Sequence, residues 1–196
     1  MLWEIRGFRH NQVPRETTGI HGLSRRTCWK VYMNIFYLHK NPTLAAQMQC
    51  DKHIVKMTLE TAQLICTAHH VLGTEPVYIP YRVTHKNHPS SLWVRQSIHH
   101  YHWTVKHFKA LADEYQRRYN REHLAWTKCK HLATFDPSDI PSTPFTPPPQ
   151  CMPLELHRKP SETVEAYRDY YRTSKAQILV YAHSERPTWL QQGETA

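Results

Sequence analysis

The most regular stretch of the chain covers residues 43–72. It contains no Pro or Gly, is rich in Ala, Leu, Met, Gln and Lys, and stops at Gly73; such a composition favours helix, and a glycine commonly ends one. Asn41 and Pro42 precede it, a capping residue followed by a proline where a helix tolerates the missing N–H. The pattern reads as one long helix, or two joined near Cys50. A second helix is predicted from a cap at Ser90 or Ser91 to about residue 120. In it Tyr101, Val105, Phe108, Ala112, Tyr115 and Tyr119 recur at three-to-four spacing as an inward stripe. The opposite face carries Lys106, Lys109, Arg117, Arg118 and Arg121. A third helix starts from a Ser161 cap, with Val164, Tyr167, Tyr171, Ile178 and Tyr181 on its buried side.

The segments between are less regular. "MNIFYL" (33–38) is a short apolar run, either a strand or an extended lead-in, and residues 74–89 form a loop with room for a short strand at 77–79. Residues 134–160 hold eight of the 14 prolines and cannot be regular structure; they are either a mobile lid or a stiff strap. No internal repeat is visible. The expectation is an all-α protein: three main helices in a compact single domain spanning 33–190, a long Pro-rich loop at 134–160, and a tail at 191–196. Residues 1–32 carry six Lys/Arg against two Asp/Glu and no clean period. They read as a targeting arm, a nucleic-acid-binding tail, or an extension that is not native or not ordered. The last is preferred because Met33 opens much better-patterned sequence.

Composition narrows the function. A 40% hydrophobic and 11% aromatic chain of 196 residues folds around a real core. The net charge of +9 and pI near 9.4 point to an anionic partner, nucleic acid first. Five scattered Cys without a secretory leader argue against a disulfide framework. No apolar run approaches the roughly 18–20 residues that span a bilayer. A cytoplasmic setting (the host cytoplasm, for a viral protein) is expected, with no membrane association.

The candidate chemistry lies in "CDKHIVKMTLETAQ" (50–63), which places an Asp, a His, two Lys and a Glu in an otherwise apolar helix. Cys50-x-x-His53 and Cys66-x-x-His69 have zinc-like internal spacing. On one continuous helix, however, Cys50 and Cys66 stand about 24 Å apart along the axis, so no metal site is expected. His53, Lys56 and Glu60 fall at i, i+3 and i+7 and share one face. Lys56 and Glu60 at i,i+4 are also the spacing of an ordinary surface ion pair. The alternative is a His, a cation and a carboxylate converging on a ligand, with partial burial raising the Glu pKa and suiting it to proton transfer.

"DKHIVKMTLE" resembles the D-x-H…E pattern of the pyrimidine-dimer DNA glycosylases, the phage endonuclease V type. Asp51, His53 and Glu60 match in residue type and spacing. "NHPSSLW" (87–93) resembles the His-containing turn that opens that family's second helix, the following helix ends in a comparable "YQRRYN", and "RPTW" (186–189) resembles its tail segment. The resemblance implies an amine near the chain start that attacks the sugar C1′ of a damaged nucleotide and forms an imine. It also implies a carboxylate, here Glu60, that stabilises the cationic sugar and drives proton transfer. His53, His88 and Asp51 are the expected helpers. The nucleophile stays open among Met33, Lys56 and Lys52, because the family's α-amine is exposed by Met removal before a small residue and Asn34 is not one. Expected DNA contacts are Lys86, Asn87, Arg95, Lys106, Arg117, Arg118, Arg186 and Trp189. Leu59 and Gln63 stand where the family has DNA-gripping arginines, and the Pro-rich segment has no counterpart there.

The expected function is a DNA-acting enzyme working on a pyrimidine base or its glycosidic bond, of glycosylase/lyase type in DNA repair or modification. The alternatives are a transferase that hypermodifies pyrimidines in viral DNA, and a non-catalytic nucleic-acid-binding module. Double-stranded DNA is the expected partner, with no cofactor and no obligate protein partner. Under the binding-module reading Trp93, Trp103 and Trp189 stack bases; the alternative for the tryptophans is core packing, the expected role of Trp93 and Trp103.

Overall fold

The structure is a computed structural model that describes residues 33–74 and 78–191. The N-terminal extension 1–32, Val77 of the suggested strand and the tail after Gln191 lie outside the described residues. Within them run seven α-helices: α1 (Pro42–Gln47), α2 (Asp51–Leu72), α3 (Pro89–Gln96), α4 (Ile98–Tyr119), α5 (Leu124–Cys129), α6 (Thr163–Arg172) and α7 (Thr188–Gln191). No strand occurs among the described residues, so the all-α expectation holds. No helix of the described residues is long and apolar enough to cross a membrane.

Residues 33–38 are the extended lead-in rather than a strand, and all six are buried. Phe36 stacks on His53 of α2, with ring centroids 4.2 Å apart, and meets Tyr171 of α6 edge-on. Tyr37 packs against Trp103 of α4. An extended segment with no neighbouring strand must find other partners for its polar groups, and here side chains supply them. Arg168 Nε donates to the Leu38 carbonyl at 3.1 Å. The Asn34 side chain donates to the Cys151 carbonyl and accepts from the Tyr167 hydroxyl, both at 2.8 Å.

The first expected helix is two, α1 and α2, joined at Cys50. Asn41 caps α1 through the N–H groups of Thr43 and Leu44. Cys50 gives α2 no side-chain cap; the N-terminus is closed instead from the far end of the chain. Asp51 N–H donates to the Val180 carbonyl at 2.9 Å, and Ala182 N–H donates to Asp51 Oδ2 at 2.7 Å. The second expected helix is also two, broken at Ser97, which adopts extended geometry. The cap of α3 is His88, through Ser90 N–H, not Ser90 or Ser91. The third helix is shorter than its pattern. A 3-10 turn over Pro160–Glu162 precedes it, Glu162 rather than Ser161 is its N-cap, and Ile178 and Tyr181 lie past its end at Arg172. α5, capped by His123, was not signalled by the pattern.

The Pro-rich segment is a strap. Ser138 N–H donates to the Gly73 carbonyl, and Ile98 N–H to the Pro141 carbonyl at 2.8 Å. The Ser97 hydroxyl donates to the Thr143 carbonyl at 2.5 Å, Trp93 Nε1 donates to the Thr146 carbonyl at 3.0 Å, and Thr146 N–H reaches His100 Nε2 at 2.9 Å. These bonds explain the break at Ser97, where the strap rather than the helix satisfies the backbone.

Arg118 ties the ends together. Its side chain is fully buried between Glu114 and Asp51, at 2.7 and 2.9 Å, and it also donates to the carbonyls of Gln47 and Gln49. Burial opposes ionisation of Glu114, but its bonds to Arg117 and Arg118 prevail and hold its carboxyl below the ordinary range. Arg118 is thus withdrawn from the DNA-binding set, because every direction of its guanidinium is committed inside the fold. Arg118→Ala is expected to cost about 3–5 kcal/mol in urea unfolding, since it leaves two carboxylates without their buried partner. A loss below about 1 kcal/mol together with weakened DNA binding would return Arg118 to the phosphate-contact role.

Candidate active site

Glu60 lies mid-way along α2 on the side the lead-in covers, and only 7% of its surface is exposed. Its Oε1 meets Lys56 Nζ at 3.1 Å, one turn back, and half of the Lys56 side chain is exposed. Its Oε2 is buried without a hydrogen-bond partner. The peptide N–H of Asn34 faces the carboxyl and favours its ionised form, without closing a hydrogen bond on Oε2. Burial is the dominant influence and raises the Glu60 pKa above the ordinary carboxylate value. The charge and hydrogen bond of Lys56, the Asn34 N–H and the charge of His85 oppose that rise without cancelling it. A carboxylate in this state takes up and gives back a proton more readily near neutral pH than a solvated one.

The surroundings are basic. The charges of Lys52, Lys56 and Lys175 all bear on neighbouring His53, and His85 bears on both Glu60 and His88. His88 is half-buried at the N-terminus of α3, with Nδ1 accepting from Ser90 N–H at 3.2 Å. Burial, then His85, push its pKa down. A relay of contacts runs from α3 to the carboxyl: Ser90 Oγ to Cys151 Sγ at 3.4 Å, the Cys151 carbonyl to the Asn34 amide at 2.8 Å, and the Asn34 peptide to Glu60. This relay links the start of α3, where His88 sits, to the neighbourhood of Glu60.

Other expected members fall elsewhere. His53 is a core residue, 4% exposed, stacked on Phe36 with Nδ1 2.5 Å from the Tyr171 hydroxyl. The imidazole is neutral, because burial and then the charges of Lys175, Lys56 and Lys52 push its pKa to about 3. It holds the lead-in and α6 against α2 and reaches no phosphate. Asp51 is bound to Arg118 and Ala182. Nine residues before Glu60, it stands about 13 Å away along the axis and on the opposite side of the helix, so the D-x-H…E string does not converge on one point. Met33 is buried, while Lys52 is exposed one turn before Lys56.

The DNA-binding set divides in the same way. Lys86 and Asn87 are exposed beside the site. Lys106 lines a groove of about 310 Å³ with Asn41, Pro42, Thr43 and Lys109. Arg95 turns back onto Ser91 at 3.0–3.1 Å. Arg117 is bonded to Glu114 through two nitrogens. Trp189 is buried, with the guanidinium groups of Arg168 and Arg172 5.3 and 5.4 Å from its ring centre, so it anchors the chain end instead of stacking on a base. Arg186 is half-buried just before it. No group of three His, Cys, Asp or Glu among the described residues could hold a metal ion. Spacing on α2 alone could not reveal His85 or Lys175, because both arrive from other parts of the chain.

Residues 33–127 match the family model described as pyrimidine dimer DNA glycosylase. The match begins at the lead-in and includes Lys56, Glu60, His85 and His88; the strap, α6 and "RPTW" lie outside it. No curated protein and no solved structure matches the chain.

The state of His53 sets a pH dependence. Above pH 6.5, its ordinary value, the imidazole is neutral whether the chain is folded or not. As pH falls below that, the unfolded imidazole takes a proton that the folded one refuses until about 3. Stability is therefore lost across that window, by about 1.4 kcal/mol per pH unit for one group. Urea unfolding between pH 6 and 4 should show this slope reduced by one group's share in His53→Gln. An unchanged slope would contradict a buried, neutral His53.

Proposed function

We propose, on the premise that residues 33–127 form a relative of the pyrimidine dimer DNA glycosylases, that this protein cleaves the glycosidic bond of a damaged or modified pyrimidine in double-stranded DNA. The reaction passes through an imine between the sugar and an amine of the protein. The observation that carries this reading is the Lys56–Glu60 pair: a buried carboxylate with one oxygen unpartnered and the other on a half-exposed amine.

The pair has the parts that imine chemistry needs. A lysine attacks only as the free amine, and a carboxylate of raised pKa beside it is a suitable acceptor for the ammonium proton. After that proton has been released to solvent and the amine has swung toward the sugar, the re-ionised carboxylate stands beside a carbon that gains positive charge, where a fixed negative charge lowers the barrier. Two nitrogens lie at Glu60, Lys56 Nζ and the Asn34 peptide nitrogen. An amide nitrogen is not nucleophilic, so Lys56 is the amine that the geometry favours over Met33 and the more distant Lys52. Lys52, Lys175, Lys86 and Asn87 offer donors for the flanking phosphates, and His88 sets the entry of α3 beside them. His53 and Asp51 act by positioning α2.

Glu60→Gln separates this reading from that of a non-catalytic binding module. The variant should lose borohydride trapping on duplex DNA carrying a pyrimidine dimer or an abasic site, by about 100-fold or more, while binding the same duplex as tightly as the wild type. The native state holds the Glu60 proton more tightly than the unfolded chain does, so ionisation above the raised pKa costs stability; the variant should be no less stable than wild type at pH 8. Wild-type activity should fall as pH drops through that raised pKa. A variant that still traps DNA at the wild-type rate would remove Glu60 from the chemistry.

A further inference from the structure

Two cysteines from distant parts of the chain meet inside the fold. Cys66 lies on α2, six residues beyond Glu60 and about 9 Å further along the axis. Cys129 is the last residue of α5. Both are fully buried, and their sulfurs stand 3.7 Å apart. The two are 63 positions apart in sequence, so the packing of α5 on α2, not local geometry, brings them together. Cys151, by contrast, is half-buried and meets the Ser90 hydroxyl at 3.4 Å rather than a second sulfur.

The pair is asymmetric. Either sulfur could donate to the other, but the Tyr81 N–H also faces Cys66, which favours Cys129 as the donor and Cys66 as the acceptor. The bond from Cys129 and then the Tyr81 N–H outweigh burial and lower the Cys66 pKa. The same bond, with burial, raises that of Cys129. Little covers the two sulfurs. α5 is six residues long, and Thr127, Lys128 and Lys130 beside Cys129 are exposed. Tyr81 is only half-buried, with Lys128 Nζ 5.9 Å from its ring centre. A short peripheral helix of this kind opens locally at low cost, which admits a small oxidant.

We propose that Cys66 and Cys129 are a reversible redox pair, converted by a peroxide to a disulfide that joins α2 to α5. In the first step the Cys66 sulfur attacks one peroxide oxygen and the O–O bond breaks. The departing hydroxide takes the thiol proton, leaving Cys66 as the sulfenic acid and releasing water. The Cys129 sulfur then attacks the Cys66 sulfur, the S–O bond breaks, and hydroxide leaves with the Cys129 proton as a second water. Two thiols are oxidised by two electrons, and one peroxide is reduced to two waters. The sulfurs close from 3.7 Å to about 2.05 Å, a movement within reach of side-chain rotation and a small shift of α5. The cross-link closes a long loop and clamps the helix that carries Glu60. Neither sulfur takes part in the Lys56–Glu60 chemistry.

The test treats the full-length protein with hydrogen peroxide, blocks remaining thiols, digests without reductant and maps disulfides by mass spectrometry. The main disulfide should be a Cys66–Cys129 peptide, returned to free thiols by dithiothreitol. The oxidised protein should melt about 5–10 °C above the reduced one, and Cys129→Ser should abolish that increase. Peroxide should also consume Cys66 in Cys129→Ser about tenfold faster than Cys129 in Cys66→Ser; the reverse order would contradict the role of Cys66 as the attacking sulfur. In the wild type, oxidation of Cys151 with Cys66 and Cys129 still free would overturn the assignment. So would disulfides spread over other cysteines, or a Cys66–Cys129 bond that lowers the melting temperature.

Discussion

An extended segment buried without a sheet to join is the constraint from which the rest of the architecture follows. Residues 33–38 cannot pair their backbone with a neighbouring strand, so side chains from distant parts of the chain close in on them. Arg168 and Tyr167 come from α6, Cys151 comes from the strap, and Trp103 comes from α4. The same packing lays Asn34 over Glu60 and Phe36 over His53. Burial of Glu60, and with it the raised pKa, is a consequence of how the lead-in is held.

Two buried polar centres divide the charged residues of α2 by task. Asp51 belongs to the Arg118 centre, which joins the start of α2 to the end of α4 and to the returning chain at 180–182. Glu60, two and a half turns later, belongs to Lys56 and the lead-in. Both carboxylates are buried, but their partners differ. Asp51 has a buried guanidinium and a peptide N–H, and holds structure together. Glu60 has a half-exposed amine on one oxygen and no hydrogen-bond partner on the other, which leaves it capacity for a substrate.

Features carried by local chemistry were legible in the sequence. Asn41 with Pro42, Gly73 as the stop of α2, the joint at Cys50, and the i,i+4 pairing of Lys56 and Glu60 all depend on neighbours within a few residues. Features set by distant partners were not. The break at Ser97 has no Pro or Gly to announce it and exists because Pro141 and Thr143 of the strap supply its hydrogen bonds. The outward spacing of Arg118 gave no hint of its burial, which depends on Asp51 and the α1–α2 joint. His53 lies at the right spacing to join Glu60, yet its ring is claimed by Phe36 and Tyr171. His85 and Lys175 join the site only through tertiary structure.

The central claim is that Lys56 and Glu60 are the reactive pair. Borohydride reduction of the wild-type protein on dimer-containing duplex, followed by proteolysis and mass mapping of the adduct, tests it most directly. The sugar remnant should lie on the Lys56 side chain. A remnant on an α-amine, or on any other lysine, would contradict the account.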